Sequence, residues 1–155
     1  MEDNKFGKLD GHKCKIAIVR ARFNENITND LVKGSQKALQ ECGVLSKNIK
    51  IFSVPGSLEI PLLCQALARK KKFNGLVTIG AVIKGETAHF EYVAKTASEG
   101  ILRVMLDHHL PITFGVITAY NLDQAKKRSE NNKSNKGFEA AKALIEMIAV
   151  LSGIK

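Results

Sequence analysis

Four apolar segments alternate along this chain with segments of helical period, and this alternation limits the fold more than any other feature. The predicted strands are residues 13–20, 48–54, 75–79 and 111–118. Their near-continuous hydrophobicity is typical of strands that are covered by helices on both faces. Strands connected through helices pair in parallel. The sequence therefore predicts a doubly wound α/β domain with a four-stranded parallel sheet.

Capping residues and apolar spacing predict where the helices begin, end and face. Thr28 or Asn29 is expected to begin the first helix, and Gly43 to end it. Ser57 is expected to cap a second helix from residue 58. The last helix is predicted over residues 135–151. Each helix is predicted to turn an apolar stripe to the core. In the second helix the stripe is Leu58, Leu62 and Ala66, with Leu63 and Leu67 as further candidates. In the third helix it is Val93, Ala97, Ile101 and Val104, and in the last helix the stripe ends at Leu151.

Length and composition favour one soluble domain. With 155 residues, 45% of them hydrophobic, the chain can bury a substantial core. Residues 1–12 carry little periodicity and are predicted to form an N-terminal arm, leaving residues 13–155 as the domain. No apolar run approaches the roughly 20 residues that cross a bilayer, and the polar start does not resemble a signal peptide. We therefore expect a cytoplasmic protein without a membrane partner.

The three cysteines are expected to be reduced packing residues. Their odd number and their apolar surroundings argue against a disulfide frame, and they show no Cys-x-x-Cys spacing for a metal site. The cysteines are Cys14, Cys42 and Cys64. We accordingly predict no bound metal.

The net charge of +9 allows two classes of partner, nucleic acid or small phosphorylated molecules. The basic run at residues 69–72 falls where a helix should end, and a solvated helix terminus accounts for it. The chain has no tryptophan and no interleaving of basic and aromatic residues, so base-stacking platforms are not visible. We predict no nucleic-acid partner, and a salt-sensitive filter-binding titration would test this.

Residues 79–90 combine a strand end, two glycines and a helix start that carries His89. The unpaired amides and positive dipole at a helix start attract anions. The spacing resembles a phosphate loop, but Glu86 stands where that motif requires lysine, which argues against an NTPase. His89 can exchange protons near neutrality; its alternative is a surface or capping residue.

Several other residues lie where the strands are predicted to end, and each keeps an alternative. Phe23 is either a ring for stacking a ligand or a plug over the core. Glu59 is either a ligand contact or a carboxylate favoured by the helix dipole. Arg128 and Lys136 are either phosphate contacts or charges on solvated helices.

Five blocks of sequence resemble lumazine synthases, and together they span nearly the whole chain. The blocks are residues 22–24, 54–61, 80–92, 111–116 and 135–141. The resemblance implies a single-domain, three-layer α/β/α fold of the flavodoxin-like class. It also implies that the chain is a transferase that condenses 5-amino-6-(D-ribitylamino)uracil with 3,4-dihydroxy-2-butanone 4-phosphate. The products would be 6,7-dimethyl-8-ribityllumazine, phosphate and water, in the penultimate step of riboflavin biosynthesis. No cofactor is implied.

The resemblance also implies roles for individual residues. Phe23 would stack on the pyrimidine ring, and His89 would transfer protons. Ser57, Leu58 and Glu59 would hold the ribityl chain, the backbone of Ala81, Val82 and Ile83 the pyrimidine edge, and the amides of Gly85, Glu86 and Thr87 the phosphate. Phe114, Arg128 and Lys136 would come from an adjacent subunit.

The implied assembly is a homopentamer, with a sixty-subunit capsid of twelve pentamers as the favoured larger form and riboflavin synthase as a candidate partner. Four features depart from the family pattern. Leu58 replaces a residue that is often aromatic, Glu86 replaces a small one, Tyr120 is unusual after the fourth strand, and residues 129–134 lack glycine. The glutamate must point away from the ligand if its amide is to hold phosphate.

A small binding module is the rival interpretation. Flavodoxin-like modules carry serine, threonine and glycine after the first strand, and receiver-like modules carry paired aspartates. Neither feature is present in this sequence.

Overall fold

A computed structural model, which describes residues 9–154, contains a four-stranded sheet and five α-helices. In chain order the elements are β1 (Ile16–Ala21), α1 (Glu25–Glu41), β2 (Ile49–Val54), α2 (Ile60–Lys70), β3 (Gly75–Ile83), α3 (His89–His108), β4 (Ile112–Ala119), α4 (Leu122–Ser129) and α5 (Lys136–Gly153). Two short 3₁₀ turns, Ser46–Asn48 and Ser57–Glu59, precede β2 and α2.

All strand pairs are parallel, in the order β2-β1-β3-β4, which confirms the predicted doubly wound sheet. Successive residues of β1 face opposite sides, so Ile16 and Ile18 pack with α1 and α5, whereas Ala17 and Val19 pack with α2 and α3. Burial on both sides explains why β1 and β3 are almost uniformly apolar.

The strand order places a crevice between β1 and β3. The chain leaves β1 for β2 on one side and later returns to β3 on the other, so the connections diverge at this point. In open α/β sheets ligands bind at such a point, beyond the carboxyl ends of the strands. The loops after β1, β2 and β3 all meet there.

The first helix begins earlier than predicted. α1 starts at Glu25, so Thr28 and Asn29 lie within it and do not cap it. Asn24 is its cap residue and has a left-handed backbone, with φ of 59°. Asparagine tolerates this conformation better than most residues, which lets the chain turn directly from β1 into α1. The predicted end of α1 is confirmed, since Gly43 has φ of 86°.

The predicted core stripe of the second helix was wrong. A 3₁₀ turn holds residues 57–59, so α2 begins at Ile60 and buries Ile60, Cys64, Leu67 and Ala68. Leu62 is 73% exposed, and Leu58 is also exposed. The buried face is that of Ile60 and Cys64, and residues two positions apart lie on opposite sides of a helix, so of the five candidates only Leu67 is buried.

The third strand is longer than predicted. β3 continues to Ile83 because its pairing with β4 continues as far as Ala119. Gly80 is therefore a buried strand residue, whereas the predicted strand ended before it, at residue 79. α3 does begin at His89, and Ala97, Ile101 and Val104 are buried as expected. In α5, Leu151 is exposed, because it lies near the end of the helix beyond the last residues that face the sheet.

The first described residues and the three cysteines pack against the core. The predicted arm falls mostly on residues 1–8, which lie outside the described residues; of residues 9–12, Gly11 donates its amide to Cys42 at 2.6 Å and Leu9 packs on the core. Cys14, Cys42 and Cys64 are buried free thiols, as predicted. Within residues 9–154, no helix has the length and apolarity needed to cross a membrane.

Candidate active site

A cavity of about 540 Å³ lies where β1, β2 and β3 end. Its walls come from four parts of the chain: the loop after β1, the turn before α2, the last residues of β3, and the start of α3. The lining residues that the sequence predicted are Phe23, Ser57, Leu58, Glu59, Ala81, Val82, Ile83, Gly85, Thr87 and His89.

Phe23 lies at the mouth of this cavity and is 72% exposed, which rules out the plug over the core. Its amide donates to Pro55 at 3.0 Å, and the amide of Arg22 donates to Val54 at 2.8 Å, so the loop is tied to the end of β2. The Asn24 side chain donates to the carbonyl of Ala81 at 2.8 Å. These bonds hold the ring over the crevice between β1 and β3.

The turn before α2 brings one buried hydroxyl and one carboxylate to the cavity. Ser57 is 6% exposed and lies against Gly80, where a β-carbon would come within 2.4 Å of its Oγ. Glycine in β3 therefore permits this close approach. Glu59 accepts the Gly56 amide at 2.8 Å through Oε2, which fixes the turn.

The loop between β3 and α3 forms the opposite wall. The amide of Lys84 donates to Ala119 at 2.8 Å, which anchors the loop to β4. Gly85, Thr87 and His89 line the cavity, whereas Glu86 is exposed and is not part of its lining. His89 is the first residue of α3, so the unpaired amides of a twenty-residue helix begin beside the imidazole. Such a helix start attracts an anion.

Phe114, Arg128 and Lys136 lie in a different place. They line a separate depression of about 180 Å³ along β4, the edge strand, and it shares no lining residue with the main cavity. Arg128 Nη1 donates to the carbonyl of Gln124 at 3.3 Å. Lys136 Nζ is 2.8 Å from Glu139 Oε2. Within one chain, then, these three residues do not join the other predicted site residues.

Sequence reasoning missed several residues that shape the main cavity and its surroundings. Asn24 connects the Phe23 loop to β3; it belongs to the block at residues 22–24, but no role was predicted for it. Phe90 and Val93 also line the main cavity. The Tyr120 ring packs beside Phe90, at 6.2 Å between centroids. Lys84 lies 5.7 Å from the centre of the same tyrosine ring, which gives this unusual residue a local partner.

The cysteines do not contribute to either depression. Burial raises the pKa of Cys64 to about 12, and it also raises the pKa of the Cys14 and Cys42 thiols. A buried thiol that stays protonated is a poor nucleophile. Among residues 9–154, no group of three or more His, Cys, Asp or Glu side chains is arranged to hold a metal ion.

Comparison with known proteins gives a consistent result. The model of the family described as 6,7-dimethyl-8-ribityllumazine synthase matches residues 13–152. A protein of Desulfovibrio desulfuricans named 6,7-dimethyl-8-ribityllumazine synthase is 43% identical to this chain over 145 residues. The matched region covers 94% of this chain and 93% of that relative.

Proposed function

This chain belongs to the 6,7-dimethyl-8-ribityllumazine synthase family, and we propose that the cavity between Phe23 and His89 is its active site. The enzyme condenses 5-amino-6-(D-ribitylamino)uracil with 3,4-dihydroxy-2-butanone 4-phosphate. The products are 6,7-dimethyl-8-ribityllumazine, phosphate and water. The observation that carries the site assignment is that one cavity gathers ten predicted residues from four separate segments.

The uracil substrate is proposed to occupy the side of the cavity formed by β1, β2 and the end of β3. The exposed Phe23 ring offers a flat face for the pyrimidine. The backbone of residues 81–83 would bind the pyrimidine edge, and residues 57–59 would bind the ribityl hydroxyls. Glu59 uses Oε2 for the Gly56 amide, so Oε1 is the oxygen we assign to the ribityl chain.

The sugar phosphate is proposed to bind at the loop before α3. Backbone amides of residues 85–87 and the α3 dipole suit a phosphate. The Glu86 amide takes part while its carboxylate points to solvent, since this side chain is exposed and outside the cavity lining. The glutamate therefore need not repel the substrate at close range.

His89 is the proposed proton carrier. The uracil amine must form an imine with the ketone, phosphate must leave, and a second condensation must close the ring. Each of these steps moves protons, and a histidine beside the phosphate site can both take and return them. Holding two reactants together can lower the barrier by up to about 7–11 kcal/mol, whereas one acid or base contributes roughly 10²–10⁴-fold. Positioning is therefore the larger effect.

We further propose that Phe114, Arg128 and Lys136 complete the cavity of an adjacent subunit. They line their own depression at the sheet edge, and the described lining residues of the main cavity include no lysine or arginine for the phosphate. Arginine binds phosphate through two parallel hydrogen bonds. Exposed apolar side chains such as Leu62, Tyr92 and Leu106 are what an assembling subunit presents to its neighbours.

The proposed assembly is a homopentamer, which would place one shared site at each subunit interface. Twelve pentamers forming a sixty-subunit shell, with riboflavin synthase as a partner, extend this proposal. The mass of the native assembly would test both forms. Three buried free thiols fit a reducing compartment, which supports a cytoplasmic location.

An assay with the two substrates tests the function directly. Purified protein is mixed with both, and the lumazine chromophore and released phosphate are followed together. We expect equal amounts of the two products at a rate well above the spontaneous reaction. A rate equal to the spontaneous one would overturn the enzyme assignment.

A further inference from the structure

We propose that Asn135 is a positioning residue that sets the spacing of Arg128 and Lys136 for the phosphate of the substrate. This inference rests on the proposed function, in which those two cations serve a neighbouring cavity. Asn135 lies outside both depressions and is only 1% exposed. Its side chain nevertheless connects the chain just after Arg128 to the chain just before Lys136.

The amide nitrogen of Asn135 holds the end of α4. It donates to the carbonyl of Ser129 at 2.9 Å and to that of Glu130 at 3.1 Å. It also lies 3.2 Å from the carbonyl of Asp30 in α1. Two of these acceptors follow Arg128 directly in the chain, so the nitrogen fixes the position of the backbone that carries the guanidinium.

The amide oxygen of the same side chain holds the start of α5. It accepts the backbone amides of Gly137 at 2.9 Å and Phe138 at 3.0 Å, as a helix cap does. Lys136 is the first residue of this helix. One side chain therefore uses its donor for the backbone beside Arg128 and its acceptor for the helix that begins with Lys136.

Close packing leaves Asn135 little freedom to move. A β-carbon on Gly34 would come within 2.2 Å of its Oδ1, so only glycine in α1 leaves room for it. A β-carbon on Gly137 would come within 2.0 Å of the Leu31 carbonyl, so α1 and α5 lie in close contact beside the amide. The amide is thus clamped between α1 and α5.

The connection itself is exposed from residue 130 to residue 134. It lacks glycine, and both of its ends, Ser129 and Asn135, are buried. The distance between Arg128 and Lys136 is therefore set by the buried ends of the connection, and not by its exposed middle. A binding group held in place before the ligand arrives loses less conformational entropy on binding, which gives Asn135 an effect on affinity without contact with substrate.

Asn135→Ser is the most direct test. Serine can still accept at a helix cap, but it is too short and has no amide group to hold the two carbonyls after Arg128. We expect the KM for the sugar phosphate and the Ki of inorganic phosphate to rise by about 5- to 20-fold, less than the loss of a whole charged contact would give. The KM for the uracil substrate should change by less than about 2-fold, because its proposed contacts are elsewhere.

Two control variants separate the possible outcomes. Arg128→Ala removes the proposed phosphate contact itself, and it should raise the Ki of inorganic phosphate more than Asn135→Ser does. Ser35→Ala removes a nearby buried hydrogen bond that does not reach the Arg128 end, so it should lower stability and leave both constants unchanged. Such a result would show that a loss of stability does not by itself raise the KM and the Ki as Asn135→Ser is expected to do.

The results distinguish this inference from the proposed function. An unchanged Ki in Arg128→Ala would remove the phosphate role of Arg128, and the inference with it. A raised Ki in Arg128→Ala with wild-type constants in Asn135→Ser would overturn the inference alone. Asn135→Asp, which keeps the size and the cap acceptor, replaces the serine variant if that variant does not assemble. Failure of both to assemble would show that Asn135 serves folding only, and would also overturn the proposal.

Discussion

Replacing Gly80 by alanine places a methyl carbon between β3 and the turn that carries Ser57. The added carbon would lie 2.4 Å from Ser57 Oγ and 3.2 Å from Val116 Cγ1. Carbon and oxygen atoms normally make contact at about 3.3–3.6 Å, so the serine must move by close to an ångström. Overpacking a buried site in this way costs about 1–3 kcal/mol of unfolding free energy.

The same displacement should reach the active site, because Ser57 lines the cavity. A lost or misplaced hydrogen bond is worth about 0.5–1.5 kcal/mol, which corresponds to a rise of roughly 2- to 10-fold in the KM for the ribityl substrate. The kcat should change less. Steady-state kinetics with the sugar phosphate at saturation would measure both constants, and chemical denaturation at fixed protein concentration would measure stability.

Two further variants make the test of Gly80 specific. Ser57→Ala removes the clashing oxygen, so the double variant should recover stability, with a coupling of about 0.5–3 kcal/mol. Gly85→Ala should not affect stability, because nothing lies within 4 Å of the added carbon. Wild-type stability in Gly80→Ala, or no coupling to Ser57→Ala, would refute the argument that close approach requires glycine here.

Three other predictions follow from the site and the core. His89→Ala should slow the reaction by about 10²–10⁴-fold without abolishing it. As a control, His12→Ala, at another exposed histidine, should retain full activity. Complete inactivity of a folded His89→Ala assembly would contradict the argument that positioning is the larger effect. Burial raises the pKa of Cys64 to about 12, so above the unfolded thiol value of about 8.5 the unfolded chain releases a proton that the folded chain keeps. Unfolding free energy should then fall with rising pH by up to about 1.4 kcal/mol per unit from this thiol, and denaturation curves should show a shallower decline in Cys64→Ala. Leu62→Lys, at a side chain that is 73% exposed, should reduce the mass of the native assembly in sedimentation while leaving the circular dichroism of the subunit unchanged; a wild-type mass would exclude this face from the interface.

The sheet was predictable because its signal is spread over many residues. Burial on both faces makes β1 and β3 apolar at nearly every position, and a shift of one or two residues does not change that pattern. The inner face of α2 was not predictable, because apolar residues occur at helical spacing on two sides of it and only packing against the sheet selects one side. The side that carries Ile60 and Cys64 is buried, and Leu58 belongs to the 3₁₀ turn before the helix.

In the candidate site, too, some features could be predicted from the sequence and others could not. Residues close in sequence to a strand end, such as Phe23 and His89, could be placed from the pattern and the family resemblance. The bonds of Asn24 and Asn135 could not be predicted, although both residues lie in blocks that carry the resemblance, because these bonds reach residues far along the chain, from Asn24 to Ala81 and from Asn135 to Asp30. Gly80 was placed outside β3 for a related reason. The strand requires glycine at this position because Ser57, which belongs to another segment, packs against it.

Mixing two defective variants tests the shared active site most directly. One variant carries Phe23→Ala and His89→Ala, and the other carries Arg128→Ala and Lys136→Ala. If each cavity is completed by a neighbour, random assembly of equal amounts should restore about a quarter of the sites, those with both halves intact. Activity should then rise to about a quarter of the wild-type value. Activity no greater than the average of the two separate variants, in assemblies shown to be mixed, would contradict a site shared between subunits.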